Sequence, residues 1–416
     1  MIELKGKYNS AKVFANEMEE VAKQQIIKIL DQSFLKDTVI RIMPDVHAGK
    51  GSVIGFTCRY TEENIKIVPN IVGVDIGCGV LTTDISNIDI NRNLLEKLDS
   101  EIRDNDLIPY GFNVNKKLDS DILGDLSILK GLRCYDEIED MNRIKRSLGT
   151  LGGGNHFIEI AQGEKSKKTY LIIHSGSRNL GKQVADLYQN KAIEYHGLNK
   201  KKSKGKKNVV TDIKGEQKEK ESSNKVDETL NMSKDLAYLE GFLAEEYLHD
   251  MAICQKFAVV NRKRIRDLIY RFLCESLNLS EISNYGFSFE TIHNYYDFED
   301  KTIRKGAVAS KRDQLLLIPI NMQYGSLLCR GLGNKDWNDS APHGAGRLMS
   351  RRQAKKQVTL REFELSMEGI FSTSVHKDTI DESPHVYKNP QDIIEKIIGS
   401  TVEIVEVLRP IYNFKG

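Results

Sequence analysis

The sequence predicts an α+β fold: one large mixed-sheet domain into which a helical segment is inserted. Short apolar runs that end in glycine turns recur on both sides of residue 200, as strands do. Helical periodicity fills 233–277, directly after a lysine-rich stretch that is the cleanest break in composition. No internal repeat is present, and the polar clusters flanking the break look interdependent, so 1–416 reads as a single domain.

The bulk properties agree with this. At 416 residues, 40% hydrophobic and 29% charged, the chain can bury one large core or two coupled ones. A net charge of +2, from 61 basic and 59 acidic residues, means that any basic surface must be local. Six cysteines form neither a CxxC pair nor a secreted-type framework, which predicts a reducing compartment. The N-terminus has no apolar leader core and no run approaches a membrane span, so a soluble, cytoplasmic protein without a membrane partner is expected.

In order along the chain, 10–31 reads as an amphipathic helix capped by Ser10, with Val13, Phe14, Met18, Val21 and Ile29 on its apolar face. Thr38–Met43, Ser52–Cys58 and Val68–Val74 read as strands, and 91–103 and 137–147 as helices. Tyr170–Ile173 is a strand, followed by a helix to about Tyr195. Residues 200–225 hold ten lysines against four acidic residues, a local net of +6, and predict a solvated, mobile insertion whose sharper use is a nonspecific arm on a phosphate backbone. Beyond the helical segment lie strands at Thr291–Tyr296, Ala307–Ser310, Leu315–Asn321 and Ala341–Arg347, a helix near 390–399 and a strand near 401–408.

The chemistry centres on Val72-Gly73-Val74-Asp75-Ile76-Gly77-Cys78-Gly79-Val80. Its turn offers a carboxylate and a thiol that could share one metal ion or a pair; a strand–turn with a small core cysteine is the plainer reading. Five of nine histidines (47, 156, 174, 293, 343) sit at strand ends or glycine-rich turns. Asp75, Cys78, His156, His174 and His293 supply enough ligands for two ions sharing Cys78, a device suited to phosphoryl chemistry. By ligand softness alone, such a set favours zinc over manganese. His174-Ser175-Gly176-Ser177-Arg178-Asn179 and His343-Gly344-Ala345-Gly346-Arg347 both read as phosphate cradles. No GxxxxGK[ST] loop and no Lys-x-Asp-Gly is present, so a covalent nucleotide would fall to a histidine. Two other classes fit some of these features: a dinuclear metal-dependent RNA phosphoesterase without nucleotide transfer, and a noncatalytic RNA-binding protein with a structural metal.

In this order, Met43–Gly51, Asn70–Gly79, Leu148–Glu159, His174–Gly181, His293-Asn294, Arg304–Ala307 and His343–Arg347 resemble the successive motifs of the RtcB-type RNA ligases, from about residue 40 to Lys415-Gly416. The resemblance implies the RtcB fold and an enzyme that uses GTP and two Mn2+ ions. It would join an RNA 3′-phosphate or 2′,3′-cyclic phosphate to a 5′-hydroxyl, through a histidine–GMP and a guanylylated RNA 3′ end, in RNA repair or tRNA splicing. By position, Asp75, Cys78, His156, His174 and His293 would be metal ligands and His343 the guanylylated residue. Asn155, Glu159 and Asn294 would lie around the phosphates, with Gly344, Ala345, Gly346 and Arg347 in the cradle. Ser326, Tyr387 and Lys415 would contact the guanine nucleotide. The sequence departs from the family at Ile318–Tyr324, where an asparagine replaces a serine and two glycines are lost, and in the lysine-rich insertion. These departures suggest a divergent bacterial branch, and the need for an activating protein partner and the oligomeric state stay open.

Overall fold

The structure is a computed structural model that describes residues 1–62, 65–118, 123–198, 232–279 and 284–416. The chain opens with β1 (Ile2–Lys5), β2 (Ser10–Val13), α1 (Glu20–Leu30), β3 (Thr38–His47), β4 (Ile54–Tyr60), α2 (Pro69–Val72), β5 (Gly79–Asp84), α3 (Arg92–Arg103) and α4 (Met141–Arg146). The middle holds β6 (Phe157–Gly163), β7 (Thr169–Ser175), α5 (Arg178–Tyr195), the long α6 (Gly241–Ser276), β8 (Ser288–Ile292), β9 (Tyr295–Asp297) and β10 (Thr302–Lys305). It closes with β11 (Ala307–Ala309), β12 (Leu315–Asn321), β13 (Gly325–Gly331), β14 (Ser340–Pro342), α7 (Arg351–Gln357), α8 (Leu360–Ser366), α9 (Pro390–Ile397) and β15 (Val402–Lys415).

The expected α+β architecture is present. Seven strands form an antiparallel sheet in the order β12-β13-β15-β6-β7-β5-β8. Its two edges nearly meet, with the Leu317 N–H of β12 donating to Thr291 Oγ1 of β8 at 2.9 Å. A six-stranded sheet, β1-β2-β3-β4-β10-β9, stands beside it, and β11 pairs with β14. The first half of α6 packs into the core of the six-stranded sheet through Tyr247, Met251 and Phe257. Its second half, with Ile265, Ile269 and Leu273, packs on Ile158, Ile160, Leu171 and Ile173 of the larger sheet. Burying each such side chain contributes roughly 1.5–3 kcal/mol, so this one helix fastens both cores.

Four expectations are corrected. Residues 10–13 are a strand: Val13 pairs with Ile2 and Ala11 with Ile40, and only 20–30 is helical. Buried Ala11 and Val13 alternate with Ser10 and Lys12, a period of two that a helix-period reading of the longer stretch conceals. Val68–Val74 is not a strand; Pro69 starts the short helix α2 and Gly73, at φ 110°, stops it. Ala341–Arg347 is strand only to Pro342, after which the chain turns into a loop. The last strand runs on from the expected 408 to Lys415. The lysine-rich stretch 200–225 lies outside the described residues. Among the described residues no helix is long and apolar enough to cross a membrane.

Candidate active site

Strand register brings the predicted ligands to one level. In β5, Gly79 pairs with Ser175 of β7 and with Ile292 of β8. Cys78, His174 and His293 therefore stand side by side, each within one residue of that rung. Phe157 pairs with His174, so His156 joins them from the start of β6. Asp75 reaches the same point from the turn after α2, its carboxylate lying over Gly176, where a Cβ would strike it. Backbone bonds lock the arrangement: His293 N–H donates to Cys78 O at 2.8 Å and Gly77 N–H to Asn294 O at 2.9 Å.

The geometry of the cluster calls for a cation. His156 Nδ1 contacts Leu151 O at 3.0 Å and His174 Nδ1 contacts Asn155 O at 3.1 Å. A carbonyl only accepts, so His174 Nδ1 carries the proton and its Nε2 presents a lone pair. His156 Nδ1 also lies 3.3 Å from Arg178 Nη1, a donor. Both Nε2 atoms face further candidate ligand atoms. His156 Nε2 lies 3.1 Å from Asp75 Oδ2 and 3.4 Å from Cys78 Sγ. His174 Nε2 lies 3.3 Å from Cys78 Sγ and 3.3 Å from His293 Nε2. Asp75 Oδ1 is buried without any partner. The ligand atoms of Cys78, His174 and His293, and those of Asp75, Cys78 and His156, each converge within 4.8 Å. Two sets sharing one sulfur fit two divalent ions. Burial holds His174 and His293 well below the ordinary imidazole range, in the neutral form a metal needs. Burial and the Asp75 charge push the Cys78 thiol up; a bound cation acts in the opposite sense.

His343 enters from the other side. It follows β14, whose Pro342 pairs with Ala307, so its ring lies over Gly306 and 4.9 Å from the His293 ring between centroids. Its Nδ1 contacts Asp45 Oδ2 at 2.7 Å, while its Nε2 has no hydrogen-bond partner among the described residues. Asp45 is fully buried at an irregularity of β3, between Ile42 and His47. Lys388 Nζ grips the flanking Pro44 and Val46 carbonyls at 2.9 and 3.1 Å. Neighbouring His47 contacts Asp45 O at 2.9 Å, and burial lowers its pKa to about 4.

Both histidine groups open into one cavity of about 350 Å3, which Asn155, Glu159, Asn294, Ser326, Gly344–Arg347, Tyr387 and Lys415 also line. Its far wall is a network: Tyr387 OH and Lys415 Nζ both donate to Glu382 Oε2, at 2.7 and 3.0 Å. Glu159 Oε2 accepts from Asn413 Nδ2 at 3.0 Å. Glu159 Oε1, Asn413 Oδ1 and Ser326 Oγ are buried without partners. Asn294 is tied down, accepting from Gly306 N–H at 2.9 Å and donating to Asp75 O at 3.3 Å. Across the altered stretch, Asn321 Oδ1 accepts from Gln323 and Tyr324 N–H at 3.0 and 2.8 Å, which makes the turn without the missing glycines.

Two expected cradles differ from the reading of the sequence. Ser175 Oγ donates to Leu151 O at 2.8 Å and Arg178 Nε to Thr150 Oγ1 at 3.2 Å, so the 175–181 turn holds the ligand loop and does not line the cavity. Arg347 lines the cavity, yet its guanidinium donates to Asp381 O at 2.6 Å and stacks on Tyr387. Asp45, Glu382, Asn413 and Arg351, none singled out from the sequence, belong to the site. Asp45 lies inside β3 between Pro44 and Val46, where the sequence marks no role for it.

Fold and site together define an α+β protein with a buried thiol–imidazole–carboxylate cluster suited to metal ions, beside a histidine outside both ligand sets. The chain belongs to the RtcB family: the family's sequence model, described as tRNA-splicing ligase RtcB, matches residues 25–416. The RNA-splicing ligase RtcB of Escherichia coli strain K12 is 31% identical over 96% of this chain and 95% of its own length. RtcB1 of another Escherichia coli strain is 30% identical over the same shares, and the tRNA-splicing ligase RtcB of Aeropyrum pernix 26% identical over 90% of this chain and 87% of its own.

Proposed function

We propose that the chain is an RNA ligase, joining a 3′-phosphate or 2′,3′-cyclic phosphate end to a 5′-hydroxyl end with GTP and manganese. Family membership and the names of the relatives support the RNA-ligase part. The observation that carries the nucleotide-transfer part is His343, a histidine outside both ligand sets, presented into the same cavity and held by a buried aspartate. Asp45 keeps the proton on Nδ1, so Nε2 holds the lone pair that faces reactants.

In this reading Nε2 attacks the α-phosphorus of GTP, forming a P–N bond as the bond to pyrophosphate breaks. The RNA 3′-phosphate then takes the guanylyl group and frees Nε2, and the 5′-hydroxyl displaces GMP from that activated phosphate. Asp75, Cys78, His156, His174 and His293 would hold two divalent ions, which supply charge neutralisation at the phosphates. The unpartnered acceptor Asn413 Oδ1 suits the donor edge of guanine (N1–H and 2-amino), Glu159 Oε1 accepts there once its carboxyl is ionised, and Lys415 lies on the same wall.

The test is labelled GTP with manganese, followed by a denaturing gel and acid. Label that survives denaturation and is lost in acid marks a phosphoramidate. His343→Ala should abolish labelling, keep its metals, and still join a pre-guanylylated RNA end to a 5′-hydroxyl. Loss of the metals would make His343 a ligand and favour the phosphoesterase; retained labelling would move the covalent residue elsewhere.

A further inference from the structure

His47 is the one histidine of the five picked out by sequence that the proposed chemistry leaves unused. It ends β3 and pairs with Ile54 of β4, and both residues line the main cavity. Its Nδ1 contacts Asp45 O at 2.9 Å, and neither ring nitrogen has another hydrogen-bond partner among the described residues. A carbonyl only accepts, so Nδ1 carries the proton and Nε2 keeps a lone pair that no described residue engages. Burial keeps the ring neutral, with a pKa of about 4; His343 and Lys388 act in the same sense, and the Asp45 carbonyl and charge oppose them.

The joining step needs such a group. When a 5′-hydroxyl displaces GMP, the attacking oxygen must shed its proton, and a base positioned to take it speeds the attack. The other basic groups that line the cavity are engaged. Those of the two ligand sets are assigned to metal ions, and His343 carries the guanylyl group. Glu382 accepts from Tyr387 OH at 2.7 Å and Lys415 Nζ at 3.0 Å, and its other oxygen pairs with Arg351 at 2.8 Å. Glu159 holds its proton to about 8 through burial and, once ionised, is taken by guanine. The placement of His47 suits an in-line displacement, in which nucleophile and leaving group lie apart. His47 stands on the six-stranded sheet, whereas Glu159, Asn413 and Lys415, the wall proposed for guanine, stand on the seven-stranded one.

We infer that His47 is the general base of the joining step. Its Nε2 takes the 5′-O–H proton as that oxygen bonds to the RNA 3′-phosphorus. The bond from this phosphorus to the GMP oxygen breaks, and its electron pair leaves on GMP. The proton on Nε2 then passes to solvent and the neutral ring is restored. The inference deepens the ligase reading and rests on it.

The experiment follows single turnovers in which a pre-guanylylated RNA 3′ end is joined to a 5′-hydroxyl strand, with metal content and circular dichroism as checks on the variants. His47→Gln should slow joining roughly 10²- to 10⁴-fold, and labelling by GTP, whose attacking nitrogen has no proton to lose, by a much smaller factor. Wild-type joining should stay level across about pH 6 to 8, because Nε2 is already free of its proton there. Joining by the variant should rise about tenfold per pH unit, with hydroxide standing in for the base. In His47→Ala, added imidazole should restore part of the rate, which it would not do for a misfolded protein. Wild-type joining in His47→Gln, equal losses in joining and labelling, a level variant profile, or no rescue by imidazole overturns the assignment and leaves His47 a support for Asp45. A wild type that neither labels with GTP nor joins the guanylylated end sinks the ligase reading itself, and the base with it.

Discussion

Asp45 shows how much one buried carboxylate decides. With Oδ2 on His343 Nδ1 and Oδ1 unpartnered in the core, it sets which imidazole nitrogen carries the proton. Asp45→Asn can turn an amide N–H toward Nδ1 and move the proton to Nε2. Guanylylation from GTP should then fall roughly 10²- to 10⁴-fold with metal content unchanged, followed as labelled protein against time. A variant labelling at the wild-type rate would remove Asp45 from the mechanism. Glu159 is a second residue with a measurable signature. Burial raises its carboxyl from the ordinary 4.5 to about 8, so between those values the folded state binds a proton that the unfolded chain does not. Its contribution to stability is full below about 4.5 and is lost as pH rises to about 8. Glu159→Gln, measured by urea unfolding of chelator-treated protein, should lose that downward slope; an identical slope in both proteins would place the titration elsewhere. The five candidate ligand residues were legible in the sequence because each is a polar group at a strand end or a glycine-rich turn, and the register of β5, β6, β7 and β8 brings them together. Asp45 and Asn413 were not, because both lie inside strands whose neighbours are apolar and carry no spacing signal.

Among the elements, α6 holds the site together without lining its cavity. Asn261 accepts from Gly149 and Thr150 N–H at 2.7 and 3.2 Å and donates to Thr150 O, Ser175 Oγ and Gly176 O. Arg262 Nη1 donates to Gly77 O at 2.9 Å and Ser175 O at 2.8 Å. Two adjacent residues thus fix the loops that carry Cys78, His156 and His174. Asn261→Ala should weaken manganese binding by about 10- to 100-fold, the usual cost of an outer support, measured by chelator competition with circular dichroism as the check on folding. Unchanged affinity in a folded variant would reduce the clamp to packing. Periodicity revealed this helix as an element, but a buried Asn-Arg pair reads in sequence as an ordinary polar step. The misread elements, 10–13 and 68–74, are short, and there tertiary pairing and a proline outweigh a pattern of few residues.

At the scale of the molecule, a near-neutral chain must bind a polyanion through local patches, and the lysine-rich 200–225 is the densest in sequence. Deleting 203–225 should leave labelling by GTP intact and weaken RNA binding mainly at moderate salt, read as a shallower salt slope. Loss of labelling, or an unchanged slope, would refute that role. The position of β15 has a temporal consequence. Residues 402–415 lie between β13 and β6 inside the large sheet, although they follow every other described strand in sequence. While the ribosome is still at work, β6 and β13 each keep a bare edge, and neither has its permanent neighbour. The wall bearing Glu159, Asn413 and Lys415 therefore comes into being only after β15 has been made and has taken its place between them.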